Sequence, residues 1–330
     1  MQTDRKLMMT GVVAGALYGL AIRAFPSNHR WPPWLDSVTG FLLLVMSVGF
    51  VIVLPFSMGY ITIAIQARKS RVGILARIFA PWVAVLIAFA VCALALWEGA
   101  ICIVMLAPIA LLCASLGGLA AGSVVNPKHP KTALLSVVLV GALPFASTSI
   151  ERQVTPLPDI RSVESSIEIR SDTAKIWRNI ERVPAISMQE LPSAWNRTIG
   201  FPRPLEATLD HEGIGGVRHA TFAGGVLFIE TVDVWEPLRR LGFSIRADTK
   251  SIPPTTLDEH VTVGGPYFDV LHGEYILEPM SADVVRLRLV SRHRVSTDFN
   301  WYARLWTDAV MRDVQRSILY VIKNRCESPG

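Results

Sequence analysis

The chain has 330 residues, of which 51% are hydrophobic and 18% charged, and its mean hydropathy of +0.39 excludes a single ordinary globular domain and fits a lipid-embedded part joined to an aqueous one. Its net charge of +5 does not signal nucleic acid, because the excess is one-sided. Residues 1–150 hold ten Lys and Arg against only Asp4, Asp36 and Glu98, a charge of +7, whereas the remainder carries −2 and offers no basic field to gather phosphates.

In chain order, the apolar run over about 8–25 is interrupted only by Arg23. It reads as an uncleaved helix, since no small-x-small cleavage site leads into a soluble region and further apolar spans follow. The second span, 38–65, carries no charge, and Pro55 marks a kink in it. A third (78–97) and a fourth (99–124) are separated by little more than Glu98, which implies a tight turn. The fifth, 132–150, is shorter and contains Pro144; without it the count is four. Arg5 and Lys6, then Arg68, Lys69, Arg71 and Arg77, then Lys128 and Lys131 occupy alternate loops. The N-terminus is therefore expected in the cytoplasm of a bacterial-type inner or plasma membrane, with Trp31, Trp34 and Trp97 at the outer boundary. Five spans place everything after Ile150 outside; four place it inside. Scarce intramembrane charge argues against a pump. Gly117, Gly118, Ala121 and Gly122 read as close helix packing within an anchor.

A linker over 151–160 contains Pro156 and Pro158. A β-type run, Val163 to Ile169, precedes Ser171 and Asp172, either of which can cap a helix bearing Ile176, Trp177 and Ile180. After a broken stretch with Pro184, Pro192, Pro202 and Pro204, strands are predicted over 205–211, 217–222, 226–235, 241–247, 268–277 and 284–295. Gly224-Gly225 reads as a hairpin turn. The glycines at 213, 215 and 216 lead into no helix, so they form no nucleotide loop. The last helix, 299–324, repeats Tyr302, Trp306, Ala309, Val310, Asp313, Ser317 and Val321 at helical spacing. Arg304, Arg312, Arg316 and Lys323 lie opposite, toward water. The expected fold is an all-α membrane bundle of about five helices followed by an α+β domain, in which a curved antiparallel sheet wraps a long C-terminal helix.

Over about 161–325 this order of elements resembles the START-like helix-grip superfamily, also described as SRPBCC or polyketide cyclase/dehydrase-like. The residues that carry the resemblance are 165–169 (SSIEI) leading into 172–177 (DTAKIW), 232–237 (VDVWEP) with 241–243 (LGF), 273–277 (GEYIL) with 285–287 (VRL), and the Trp-bearing final helix. Residues 326–330 form a tail. The resemblance implies an apolar cavity between sheet and helix and leaves the chemistry open.

Strand alternation nominates the cavity's polar groups. One face of 226–235 reads Val226, Phe228, Glu230, Val232 and Val234. If that face is buried, Glu230 is a lone desolvated carboxylate; if the other face is buried, Glu230 lies in water. On the last strand His293 shares a face with Leu287, Leu289 and Ser291, near the cavity rim, and the Arg-rich face should be solvated. Tyr275 and His272 point oppositely. Tyr302 and Trp306 serve as core residues that also form the pocket wall. His211, His219 and His260 lack ligand spacing, and no motif calls for a metal or cofactor. Cys92, Cys102 and Cys113 lie in apolar runs and Cys326 stands alone, so no disulfide framework is expected in the soluble part. No nucleophile elbow is present.

Three functions remain open. One is a membrane-anchored module binding a hydrophobic or lipid-like small molecule, with the lipid bilayer as its other partner. The second is a cyclase-like enzyme using Glu230, Tyr275 or His293 as acid or base. The third is a structural subunit whose pocket is filled by its own aromatic side chains. Protein partners are not legible.

Overall fold

The computed structural model describes residues 2–27, 47–126, 130–151, 157–248, 262–281 and 283–328. Trp31, Trp34, Lys128, His260, linker positions 152–156 and the 38–46 part of the second span lie outside these. Contacts divide the chain into two compact units, Met1–Pro156 and Leu157–Gly330.

The first unit is helical: α1 (Gln2–Ser27), α2 (Leu54–Ala67), α3 (Ile74–Leu94), α4 (Ala100–Val124) and α5 (Pro130–Glu151). Four segments are long and apolar enough to cross a bilayer: Arg5–Ala24, Gly49–Ala67, Ile74–Leu94 and Ala100–Val124. The apolar part of α5 is shorter, Ala133–Ser147. A π-helical turn, Gly49–Val53, leads into α2, where the Leu54 amide reaches back to the Gly49 carbonyl. This wide turn directly precedes Pro55, whose ring cannot supply an amide to an ordinary helix. Residues 95–99 connect α3 and α4, with Leu96 left-handed at φ 56°.

Charge is neutralised inside this unit. Arg23 Nε donates to Glu98 Oε1 at 2.6 Å. The Glu151 carboxylate accepts the Val48 and Gly49 amides at 2.8 and 2.9 Å, so a helix start that would otherwise expose bare N–H groups receives a full negative charge. Helix packing depends on missing side chains. A Cβ at Gly59 would overlap the Ala114 carbonyl of α4, and one at Gly117 would overlap the Phe56 carbonyl of α2. The two helices thus approach backbone to backbone at reciprocal glycines.

The second unit is a seven-stranded antiparallel sheet: β1 (Asp159–Ile169), β2 (Pro204–Leu209), β3 (Val217–Phe222), β4 (Val226–Glu236), β5 (Arg240–Asp248), β6 (Phe268–Pro279) and β7 (Val285–Val295). Its spatial order is β1-β7-β6-β5-β4-β3-β2. The sheet curls around a long helix, which with α6 (Thr173–Glu181) and the single turn α7 (Trp195–Thr198) is numbered α8 (Asn300–Glu327). Of the two capping candidates, Asp172 caps α6, accepting the Lys175 amide at 2.7 Å. Ile176 and Ile180, a helical turn apart, then lie fully buried beside Leu241, Leu287, Leu319 and Ile322. Between β3 and β4 the chain turns with Gly224 and Gly225 at φ 74° and 80°, a region that side-chain-bearing residues seldom occupy.

Gly59→Leu is expected to destabilise the helical unit by more than the ~1–3 kcal/mol of ordinary overpacking, because the obstacle is backbone. At Gly141 a Cβ meets only a Tyr18 ring carbon at 3.7 Å, so Gly141→Ala should be neutral or gain about 0.5–1 kcal/mol of helix propensity. Thermal unfolding of the purified chain in detergent checks both.

Candidate functional site

Counting back from the Gly224-Gly225 turn fixes the register of β3 on β4: Phe222 faces Val226 and Arg218 faces Glu230. Alternation then carries Arg218, Ala220 and Phe222 to the same side as Phe228, Glu230 and Val232, all of them buried. Of the two faces open to β4, the structure buries the one with Glu230, which is 6% exposed.

Glu230 is not alone there. The Arg218 guanidinium, itself 4% exposed, donates from Nη1 to Glu230 Oε2 and from Nε to the Glu181 carbonyl at 3.3 Å. It also lies within electrostatic reach of the Tyr275 hydroxyl and 5.3 Å from the Phe243 ring centroid. Burial pushes the Glu230 carboxyl above its ordinary value and Arg218 pulls it back. The guanidinium keeps its proton and lies against the carboxylate as its partner in a buried ion pair. Burial likewise raises the Tyr275 phenol, against Arg218. Sequence reasoning missed Arg218, although the hairpin register set it opposite Glu230.

These groups open onto a cavity of about 110 Å³ between the concave sheet face and α8. Its walls are chiefly apolar: Phe222, Phe228, Phe243 and Phe268 from the sheet side, Met311 and Ile318 from the helix. Phe222 and Phe228 meet edge to face at 5.3 Å. Of the residues nominated from sequence, Glu230 and Tyr275 come together in this lining, and His293, Tyr302 and Trp306 lie outside it.

His293 is fully buried rather than at a rim. It lies behind Phe268, with ring centroids 5.7 Å apart, and its Nε2 is 3.3 Å from Asp308 Oδ1, too poorly aligned to make a good hydrogen bond. Asp308 is engaged instead by Arg161 Nη2 at 2.7 Å. Burial holds the imidazole below its ordinary value, against the pull of Asp308. Tyr302 and Trp306 pack near the start of α8 in an aromatic group with Trp301 and Trp195. The stripe expected to face the pocket runs along another side of α8: the cavity face is Met311, Val314, Gln315 and Ile318. A helix gripped on several sides has more than one buried stripe, and spacing alone does not say which one borders a void.

His211 and His219 are exposed, and His272 Nε2 lies 3.3 Å from Asp233 Oδ1 away from the cavity. The Arg-rich face of β7 meets carboxylates, with Arg286 on Glu168 and Arg288 on Glu164 and Glu278. Among the described residues no three His, Cys, Asp or Glu side chains gather in metal-binding reach.

No protein-family model matches the chain, and no curated protein matches its sequence. Among solved structures, truncated norcoclaurine synthase from Thalictrum flavum is 12% identical, the match covering 54% of this chain and 99% of that one with a TM-score of 0.34. The Zhui aromatase/cyclase from Streptomyces sp. R1128 is 14% identical over 51% of this chain and 94% of that one, at a TM-score of 0.32. A conserved protein from Geobacillus kaustophilus is 14% identical over 50% and 95%, also at 0.32.

His293 makes stability depend on pH with a definite sign. Its folded-state value is depressed, so its contribution is complete above the unfolded value of ~6.5 and is lost as pH falls through the folded value. The groups facing it are Asp308 of α8 and Arg161 and Asp159 of β1. Denaturant unfolding of the full chain, followed by tryptophan fluorescence from pH 8 to 5, should weaken by up to about 1.4 kcal/mol per pH unit from this residue. His293→Gln should remove that part of the slope.

Proposed function

We propose that this protein is a membrane-anchored binding module whose curved-sheet unit takes a small hydrophobic molecule into the cavity between sheet and α8. The observation that carries this reading is the cavity itself: an aromatic-walled void bordered by one internally neutralised polar cluster. Void space in a core forfeits packing contacts, so a retained apolar cavity favours occupation. It also speaks against the structural-subunit reading, which requires a filled interior.

Membrane anchoring is supported by the first unit's surface. Leu86, Leu112, Leu116 and Leu139 are each at least half exposed, on helices where water would penalise them and lipid would not. An enzyme of cyclase-like type is the second reading, favoured by the convergence of Glu230 and Tyr275 on one cavity. Glu230 is held by Arg218, which suits the cluster less to proton transfer than to fixing a ligand.

Ala220 is 7% exposed and borders the cavity. Extraction and mass spectrometry of the purified full chain should recover a small apolar compound, reduced at least tenfold in Ala220→Leu and in Val314→Phe. Nothing recovered from the parent, or equal recovery from all three, would sink the binding reading. Recovery in chemically altered form after incubation would shift the assignment to the enzyme.

If α5 crosses as a fifth span beside the four longer ones, the second unit lies outside the cytoplasm. In Glu212→Cys, at a side chain 62% exposed, a membrane-impermeant thiol reagent should label intact cells above the parental background. Labelling only after lysis would assign four spans and a cytoplasmic unit.

A further inference from the structure

On its inner side α8 lines the cavity with Met311, Val314 and Ile318. Over residues 300–320 the side chains it leaves exposed on the other side are Trp301, Arg304, Leu305, Arg312, Arg316 and Tyr320. Trp301 and Leu305, a turn apart, are 53% and 61% exposed. About three turns beyond each of them, at nearly the same angle around the axis, stand Arg312 and Arg316. This face carries no carboxylate. Asp308 and Asp313, the acidic residues of the stretch, are engaged elsewhere: Arg161 holds the first at 2.7 Å, and the second accepts the Asn196 amide at 3.0 Å. Among the described residues Arg304, Arg312 and Arg316 meet no carboxylate, whereas Arg161, Arg286, Arg288 and Arg325 each do.

Single apolar side chains on a surface need no explanation, but this combination has a direction. Water suits the arginines and penalises Trp301 and Leu305. The layer where acyl chains give way to phosphates suits both: the apolar side chains bury area there, and each planar guanidinium can hold a phosphate through two parallel hydrogen bonds. The path of the chain brings such a surface within reach. The start of α8 is tied to Leu157, whose carbonyl accepts Asn300 Nδ2 at 3.0 Å and whose side chain is exposed. Only residues 152–156 separate Leu157 from Glu151 at the end of α5, and a fully extended chain of that length covers about 20 Å. The first turns of α8 are therefore tethered beside whichever bilayer holds the first unit.

We propose that the outer face of α8 rests on the surface of an anionic phospholipid bilayer, with Trp301 and Leu305 among the upper acyl carbons and Arg304, Arg312 and Arg316 on the phosphates. This inference rests on the anchoring reading above and extends it, because the second unit then touches lipid itself. Charge selects the occupant: a second copy of the chain meeting this face symmetrically would set arginine against arginine, whereas an anionic surface supplies the counter-charge that α8 lacks. In this arrangement α8 stands between lipid and cavity.

The test uses the full chain in single-copy nanodiscs, with a nitrobenzoxadiazole label on Leu305→Cys or Arg312→Cys and, as reference, on Ser244→Cys. Ser244 is exposed and follows Phe243, which lines the cavity, so on β5 it points away from α8. All three positions are exposed, so the fold should tolerate the labels, and the signal from the chain's own cysteines is subtracted. With phosphatidylglycerol in the disc, a doxyl group on the lipid should quench the labels at Leu305 and Arg312 at least about twofold more than the label at Ser244, and aqueous iodide should give the reverse order. Omitting phosphatidylglycerol, or combining Arg304→Glu with Arg316→Glu, should bring lipid quenching at Leu305 down toward the reference. Equal lipid quenching at all three positions, in a chain that alkaline carbonate leaves in the membrane, overturns the inference and leaves the anchoring reading standing. Release of the chain by carbonate overturns both. Protection from iodide without lipid quenching, or protection that arises only when discs hold more than one copy, makes a protein surface the occupant and overturns the assignment to lipid.

Discussion

A guanidinium that cannot release its proton, placed where water does not reach, constrains the whole second unit. Arg218 is tied to the Glu230 carboxylate across the β3–β4 hairpin and to the Glu181 carbonyl at the end of α6, with Tyr275 of β6 and the Phe243 ring of β5 beside it. Those partners come from three strands and a helix that the chain brings together only by curling. Removal of either member of such a pair strands a charge in a poor dielectric, a loss of about 3–5 kcal/mol. The pair therefore couples sheet curvature, hairpin register and the docking of α6. Because its charges cancel locally, the pair adds no net charge to the adjoining cavity.

The helical unit meets the opposite problem. Its surfaces are apolar, so a hydrophobic driving force between helices would be weak in lipid, and close contact has to come from shape. Gly59 and Gly117 supply it by letting α2 and α4 touch along their backbones. The few charges lie where they can be compensated: Arg23 against Glu98, and Glu151 at the amides that begin the second helical segment. Glu98, which in the sequence only separates two apolar spans, and Glu151 are partners in this bundle, separated by 75 and more than 100 positions from what they bind.

Much of the architecture was legible because it depends on local rules. The apolar runs, the Asp172 cap, the glycine hairpin and the alternation of each strand are read within windows of a few residues. The order of elements was sufficient to expect a curved sheet around a final helix, and that is the observed fold. The site was legible only in part. Glu230 and Tyr275 stood out as polar residues on plausible inner faces, but which face of β4 is buried depends on what packs over it. Tyr302 and Trp306 were natural choices for a pocket wall because they are large and helically spaced, yet they pack among Trp195 and Trp301 near the start of α8.

By itself the sequence determined the division into an apolar and a charged half, the succession of elements, and the register that sets Arg218 against Glu230, since each follows from composition or from counting along one hairpin. Only the tertiary structure decided which stripe of α8 meets a void and how the Gln315 amide is held beside it. The reason is physical. That amide is held by Val163, 152 residues away, and by Ser291, 24 away, and no periodicity in a linear chain records whether a buried polar atom has found its partner.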